Sequence, residues 1–125
     1  MRAPGLSARR DVVRPGVRIM DIGGAIEREV RRCGFAVMPG LGGHGVGRAV
    51  HEPPSIPNFR DPRDHTVLTD GLVIAVEPIV CAGSGSMVED DDGWTIRTAD
   101  QTLAAHYEHT MVITPHGPVI LTALD

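Results

Sequence analysis

Lysine is absent from this 125-residue chain; its twelve basic residues are all arginine. Aromatic residues are scarce as well, limited to Phe35, Phe59, Trp94 and Tyr107. A core in such a chain has to rest on valine, isoleucine, leucine and alanine, and a domain of this size buries a modest share of its surface. The two cysteines, Cys33 and Cys81, form neither a CxxC pair nor a disulfide framework, so a reducing compartment is the default. The longest apolar run, residues 72–76, is far too short to cross a bilayer as a helix. Met1-Arg2-Ala3-Pro4-Gly5 lacks the apolar stretch of a secretory signal, and a soluble cytoplasmic protein is expected. Charge is unevenly placed: residues 1–32 hold eight arginines against four acids, and residues 33–125 hold four against twelve. The basic cluster has no interleaved aromatics, which argues against a nucleic-acid surface.

What is present is a foldable composition, 42% hydrophobic and 22% charged, which excludes a disordered tail. Residues 1–17, rich in Arg, Pro and Gly without periodicity, read as a loose leader. Ile22, Ala25, Ile26, Val30 and Cys33 then recur at helical spacing, with Asp21 as the expected cap, Glu27/Arg31 as an i,i+4 pair and Gly34 at the stop. Beyond the helix the text changes to short β-branched runs. Residues 35–38, 72–80, 94–98, 106–114 and 118–122 read as strands, with turns at 83–86 and 115–117. The run Glu89-Asp90-Asp91-Asp92 reads as a solvated turn ending at Gly93. Residues 39–47 read as a glycine-rich loop around His44, and the four prolines between 51 and 66 exclude a helix or central strand there. One helix followed by antiparallel strands is an α+β pattern.

Three places carry chemistry. His44 and His51 lie seven residues apart in glycine-rich backbone that can approach a ligand closely. Glu77 follows the apolar run Leu72-Val73-Ile74-Ala75-Val76, where a carboxylate either reaches water as the strand stops at Pro78 or needs a partner or cation. In His106-Tyr107-Glu108-His109-Thr110, alternation puts His106, Glu108 and Thr110 on one face. A polar edge strand would look the same. Taken together, His44, Glu77 and Glu108 are a nitrogen and oxygen donor set suited to Zn, Mn, Fe or Co and to activation of water.

These segments, in this order, resemble type I methionine aminopeptidases, metalloenzymes of the pita-bread (creatinase/aminopeptidase) fold. The matching text is Gly43-His44-Gly45-Val46-Gly47-Arg48, His51-Glu52-Pro53-Pro54, Glu77-Pro78-Ile79-Val80, Gly93-Trp94-Thr95, Asp100 and Tyr107-Glu108-His109-Thr110. Val13-Arg14-Pro15-Gly16 and Asp21-Ile22-Gly23 resemble the approach to the family's preceding helix. The resemblance covers roughly residues 13–122. It implies one pseudo-repeat half of the pita-bread fold, a helix followed by a curved, mainly antiparallel sheet. Residues 18–125 would be the C-terminal portion of the catalytic domain. His44, Glu77 and Glu108 would be metal ligands, with Glu108 bridging two ions and Glu77 also assisting proton transfer to and from water. His51 would contact the scissile amide, and Trp94 would border the methionine side-chain pocket. The implied reaction removes the initiator methionine from a nascent-chain or peptide N-terminus, with ribosome association and without DNA or membrane partners.

Departures from the family pattern qualify this expectation. The family has two further aspartate ligands upstream of the helix; Asp11 and Asp21 have about the right interval, but Asp21 reads as the helix cap and Asp11 sits among arginines. Val50 stands where the family commonly has Phe, and His106 where it usually has Gln. The expectation is therefore a truncated chain that holds at most one divalent ion, weak or inactive by itself. Two alternatives remain: a non-enzymatic pita-bread binding module, completed as a dimer, and a mononuclear metallohydrolase of other specificity.

Overall fold

A computed structural model of the chain describes residues 13–124. Among the described residues one helix, α1 (Ile19–Arg32), precedes ten short strands. These are β1 (Ala36–Val37), β2 (Gly42–Gly45), β3 (Glu52–Pro57), β4 (Val73–Val76), β5 (Ile79–Cys81), β6 (Met87–Glu89), β7 (Ile96–Thr98), β8 (Ala104–His106), β9 (His109–Val112) and β10 (Val119–Ile120). They form a five-stranded sheet of order β10-β9-β4-β2-β3, a three-stranded sheet β1-β5-β8, and the hairpin β6-β7. Every strand pairing is antiparallel, as the α+β pattern implies.

The helix forms where the apolar spacing places it, with Ile22, Ile26 and Val30 buried and the Glu27–Arg31 pair closed at 2.6 Å. Gly34 ends it at φ +82°, a conformation open to glycine without strain. The start differs from expectation. Asp21 is not the cap: the helix begins two residues earlier, Arg18 is the capping residue, and no side chain caps it. The end is instead tied down by backbone, since Ile19 N–H donates to the Thr66 carbonyl at 2.9 Å and Arg18 bridges Val67. Asp21 is thereby free to accept from Arg60 at 2.7 Å and Arg18 at 3.3 Å, and these arginines, Arg60 foremost, hold its carboxyl below the usual range. Of the stretch read as leader, residues 1–12 lie outside the described residues. Val13 is buried, and Gly16 N–H and Val17 carbonyl both bond Leu68.

Ile19, Ile56, Leu68, Ile74 and Ile113 are the most deeply buried large apolar side chains, joined to Val37, Val76 and Met111 in one cluster under the helix. No aromatic residue is fully buried among the described residues, which agrees with their scarcity.

At the β6-β7 side, Asp100 organises the turn at 83–86. Its carboxylate accepts from the Thr102 hydroxyl at 2.7 Å, Ser84 N–H at 2.8 Å and Thr102 N–H at 3.2 Å. Those donors, the Thr102 hydroxyl first, hold its pKa down at about 2. A depressed carboxylate stabilises the fold above its unfolded pKa of about 4 and loses that contribution as pH falls through the folded value. The turn is therefore expected to loosen as pH falls from about 4 towards 2. A carbon-13 titration of the Asp100 carboxyl centred near 2 supports this, and one centred near about 4 contradicts it.

Candidate metal centre

Two strands break at one level, and the break makes the site. The runs 72–80 and 106–114 read as continuous strands, but each is interrupted for two residues. The β4/β9 ladder ends at Val76 opposite His109, and the β5/β8 ladder resumes at Ile79 opposite His106. Between them lie Glu77 and Pro78 on one strand, Tyr107 and Glu108 on the other. Pro78 has no N–H to give a ladder, and its carbonyl accepts from Tyr107 N–H at 3.2 Å. The Glu77 carbonyl is taken by Asn58 Nδ2 at 2.8 Å. Both carboxylates thus leave the sheet at the same gap.

The third element is β2, which sequence reading assigned to a loop. It is an interior strand paired with β3 on one side and β4 on the other, with His44 opposite Ala75 and Ser55. Glycine explains both the misreading and the strand. A Cβ on Gly43 would overlap the Ala75 carbonyl oxygen, and one on Gly45 the Pro53 carbonyl, so only glycine permits this backbone approach. β3, with its prolines, lies at the sheet edge, and the register shift between His44 and Gly45 accommodates Pro53-Pro54.

His44 Nδ1 lies 2.8 Å from the Gly45 carbonyl. A carbonyl only accepts, so Nδ1 carries a proton, and Nε2 faces Glu77 Oε1, 3.6 Å away, as the nitrogen open to a cation. This is how imidazole ligands are usually oriented. Both side chains are only 13% exposed. On the other oxygen, Glu77 Oε2 lies 3.0 Å from His106 Nε2, which in turn is 3.7 Å from Glu108 Oε2. Glu77, His106 and Glu108 each offer a ligand atom within 4.8 Å of the others. Two ligand atoms on one tetrahedral zinc, each about 2.1 Å from the ion, stand about 3.4 Å apart, so this donor set fits a divalent cation.

The ring of His51 packs against that of His44, centroids 4.1 Å apart and tilted by 42°. Glu52 holds the intervening loop by accepting from Ala49 N–H at 3.3 Å, and a Cβ on Gly47 would strike its carboxylate. Trp94 is placed differently: it stands 84% exposed ahead of β7, its backbone N–H held by Asp92 at 2.9 Å. Beside Glu108, His109 Nε2 lies 3.2 Å from the Tyr107 hydroxyl, and Nδ1 lies 2.9 Å from Thr122 Oγ1. Thr122 Oγ1 also accepts from Thr110 N–H at 3.0 Å, tying the segment after Glu108 to the chain end.

Sequence reading passed over two residues here. His106 carried a signal, its place on the Glu108 face, but no role. Asn58 carried none, because its partners are 17 and 19 residues away. It is 1% exposed, donates to the Leu41 carbonyl at 3.4 Å as well as to Glu77, and its Oδ1 has no partner among the described residues. Asn58→Ala leaves two part-buried carbonyls without this donor and is expected to cost about 2 kcal/mol in chemical denaturation. An unchanged stability would contradict the pinning role.

The antiparallel fold and a donor group able to hold a divalent cation suit a metalloenzyme, and comparison with known proteins names the family. The description "Metallopeptidase family M24" matches residues 5–115. The chain belongs to that family. It is 47% identical over 116 residues to a methionine aminopeptidase of Aquifex aeolicus, covering 88% of this chain and 43% of that protein. A Clostridium perfringens methionine aminopeptidase is 48% identical over 107 residues, covering 86% and 43%. The crystal structure of methionine aminopeptidase from Thermotoga maritima superposes with a TM-score of 0.84 at 43% identity, over 90% of this chain and 45% of that one. The chain thus spans less than half the length of the relatives it matches. Among the described residues no helix is long and apolar enough to cross a membrane.

Proposed function

We propose that this chain supplies the metal-holding half of an aminopeptidase site that removes methionine from polypeptide N-termini. The carrying observation is the shared strand break, which delivers Glu77 and Glu108 to one gap faced by His44. In this reading His44, Glu77 and Glu108 hold a divalent ion of the Co, Mn, Fe or Zn class. The ion, when bound, supplies Lewis acidity that polarises the substrate amide and lowers the cost of deprotonating water. Glu77, shielded from solvent and flanked by imidazoles, takes and returns the proton. His51 donates a hydrogen bond to the amide as charge develops on it. Trp94 borders the side-chain pocket. Nascent chains as substrate, a cytoplasmic setting and ribosome association belong to the same proposal.

The test is release of methionine from a Met-Ala-Ser peptide by the 125-residue chain with Mn²⁺ or Co²⁺. Slow, chelator-sensitive release that Glu77→Gln abolishes, with a Glu-Ala-Ser control left intact, is expected. No release from a chain shown to hold the ion would overturn the reading in favour of a non-catalytic binding module.

A further inference from the structure

One imidazole of the site has no part in this scheme. His106 ends β8 opposite Ile79, and its Nε2 lies within 3.0 Å of Glu77 Oε2 and 3.7 Å of Glu108 Oε2. His44, by contrast, approaches Glu77 through the other oxygen, Oε1. The two oxygens of Glu77 therefore face two different imidazoles, and His106 is the one that reaches both carboxylates. We propose that His106 is a further metal ligand, adding a second imidazole nitrogen to His44, Glu77 and Glu108 at a single-ion centre. The proposal deepens the metallopeptidase reading and rests on its premise that Glu77 and Glu108 hold a divalent ion.

Three observations converge on it. The Nε2–oxygen separations bracket the about 3.4 Å expected between ligand atoms on one tetrahedral ion. Two carboxylates brought to one gap repel each other unless a cation or proton lies between them, and no arginine pairs with either among the described residues. His106 and Glu108 are also about half exposed, at 51% and 41%, which leaves an open side where solvent or substrate can reach the ion. The chemistry has a consequence for ion choice. Replacing an oxygen donor by imidazole nitrogen raises affinity for Co²⁺ and Zn²⁺ more than for Mn²⁺.

The experiment is calorimetric titration of the 125-residue chain with Co²⁺ and, separately, Mn²⁺, together with the visible absorption of the Co²⁺ form. His106→Gln and Glu77→Gln are compared with the parent. One ion per chain is expected, with His106→Gln weakening Co²⁺ binding by at least about 10-fold, weakening Mn²⁺ binding less, and altering the Co²⁺ spectrum. Imidazole added to His106→Ala is expected to restore the parent spectrum, which a purely structural role of the ring would not produce. Unchanged Co²⁺ affinity and spectrum in His106→Gln, with binding lost in Glu77→Gln, would overturn the proposal: the ring would then only pair with Glu77, and the metallopeptidase reading would stand. Failure of the parent chain to bind either ion would overturn both.

Discussion

Gly43→Ala is expected to destabilise the chain by about 3 kcal/mol or more, the largest effect of any single methyl group added to the site. Gly43 lies in β2 between β3 and β4, and a Cβ there would overlap the Ala75 carbonyl oxygen and press on Ala75 C and Ile56 Cβ. None of these is the free end of a flexible side chain, so the overlap can be relieved only by parting β2 from β4. Parting them moves His44 away from Glu77, because His44 and Ala75 are register partners and Glu77 follows β4 directly. Urea denaturation would show the loss of stability, and ion titration the accompanying loss of affinity. A midpoint within error of the parent would mean that β2 does not pack against β4 as described.

Glu77→Gln is the second large effect, and it separates function from stability. The carboxylate is 13% exposed, its side-chain neighbours are His44 and His106, and no arginine offsets its charge. A buried charge without a strong partner is a cost to the fold, so the near-isosteric amide is expected to leave ion-free stability equal to the parent or higher. Divalent-ion affinity is expected to fall by about 100-fold or more, since both oxygens of Glu77 face donors of the site. Loss of ion-free stability alongside unchanged affinity would make Glu77 a structural residue and end the metal reading.

Much of this was legible in the sequence. The helix followed from the spacing of Ile22, Ile26 and Val30, and the acidic turn after β6 from its composition, although Glu89 ends that strand opposite Ile96. Glu77 and Glu108 stood out by residue type, but the group whose ligand atoms lie within 4.8 Å of one another joins them to His106. Local reading failed where distant backbone decided the outcome. The start of α1 is fixed by the Thr66 carbonyl rather than by Asp21. β2 is a strand because its glycines admit neighbouring carbonyls, although glycine weakens a strand by itself. The break that frees Glu77 and Glu108 was hinted at by Pro78, but the two interruptions coincide only once β4 is registered against β9 and β5 against β8. His106 gained its place from that register, and Asn58 from burial against carbonyls far along the chain.

The central claim is that the gap between the two broken strands is a metal centre, and anomalous diffraction tests it most directly. Crystals of the chain grown with Co²⁺ and measured at the cobalt edge should give one strong anomalous peak, contacted by both Glu77 and Glu108. A peak only at the acidic residues Asp90–Asp92, or no peak on the protein at all, would contradict it.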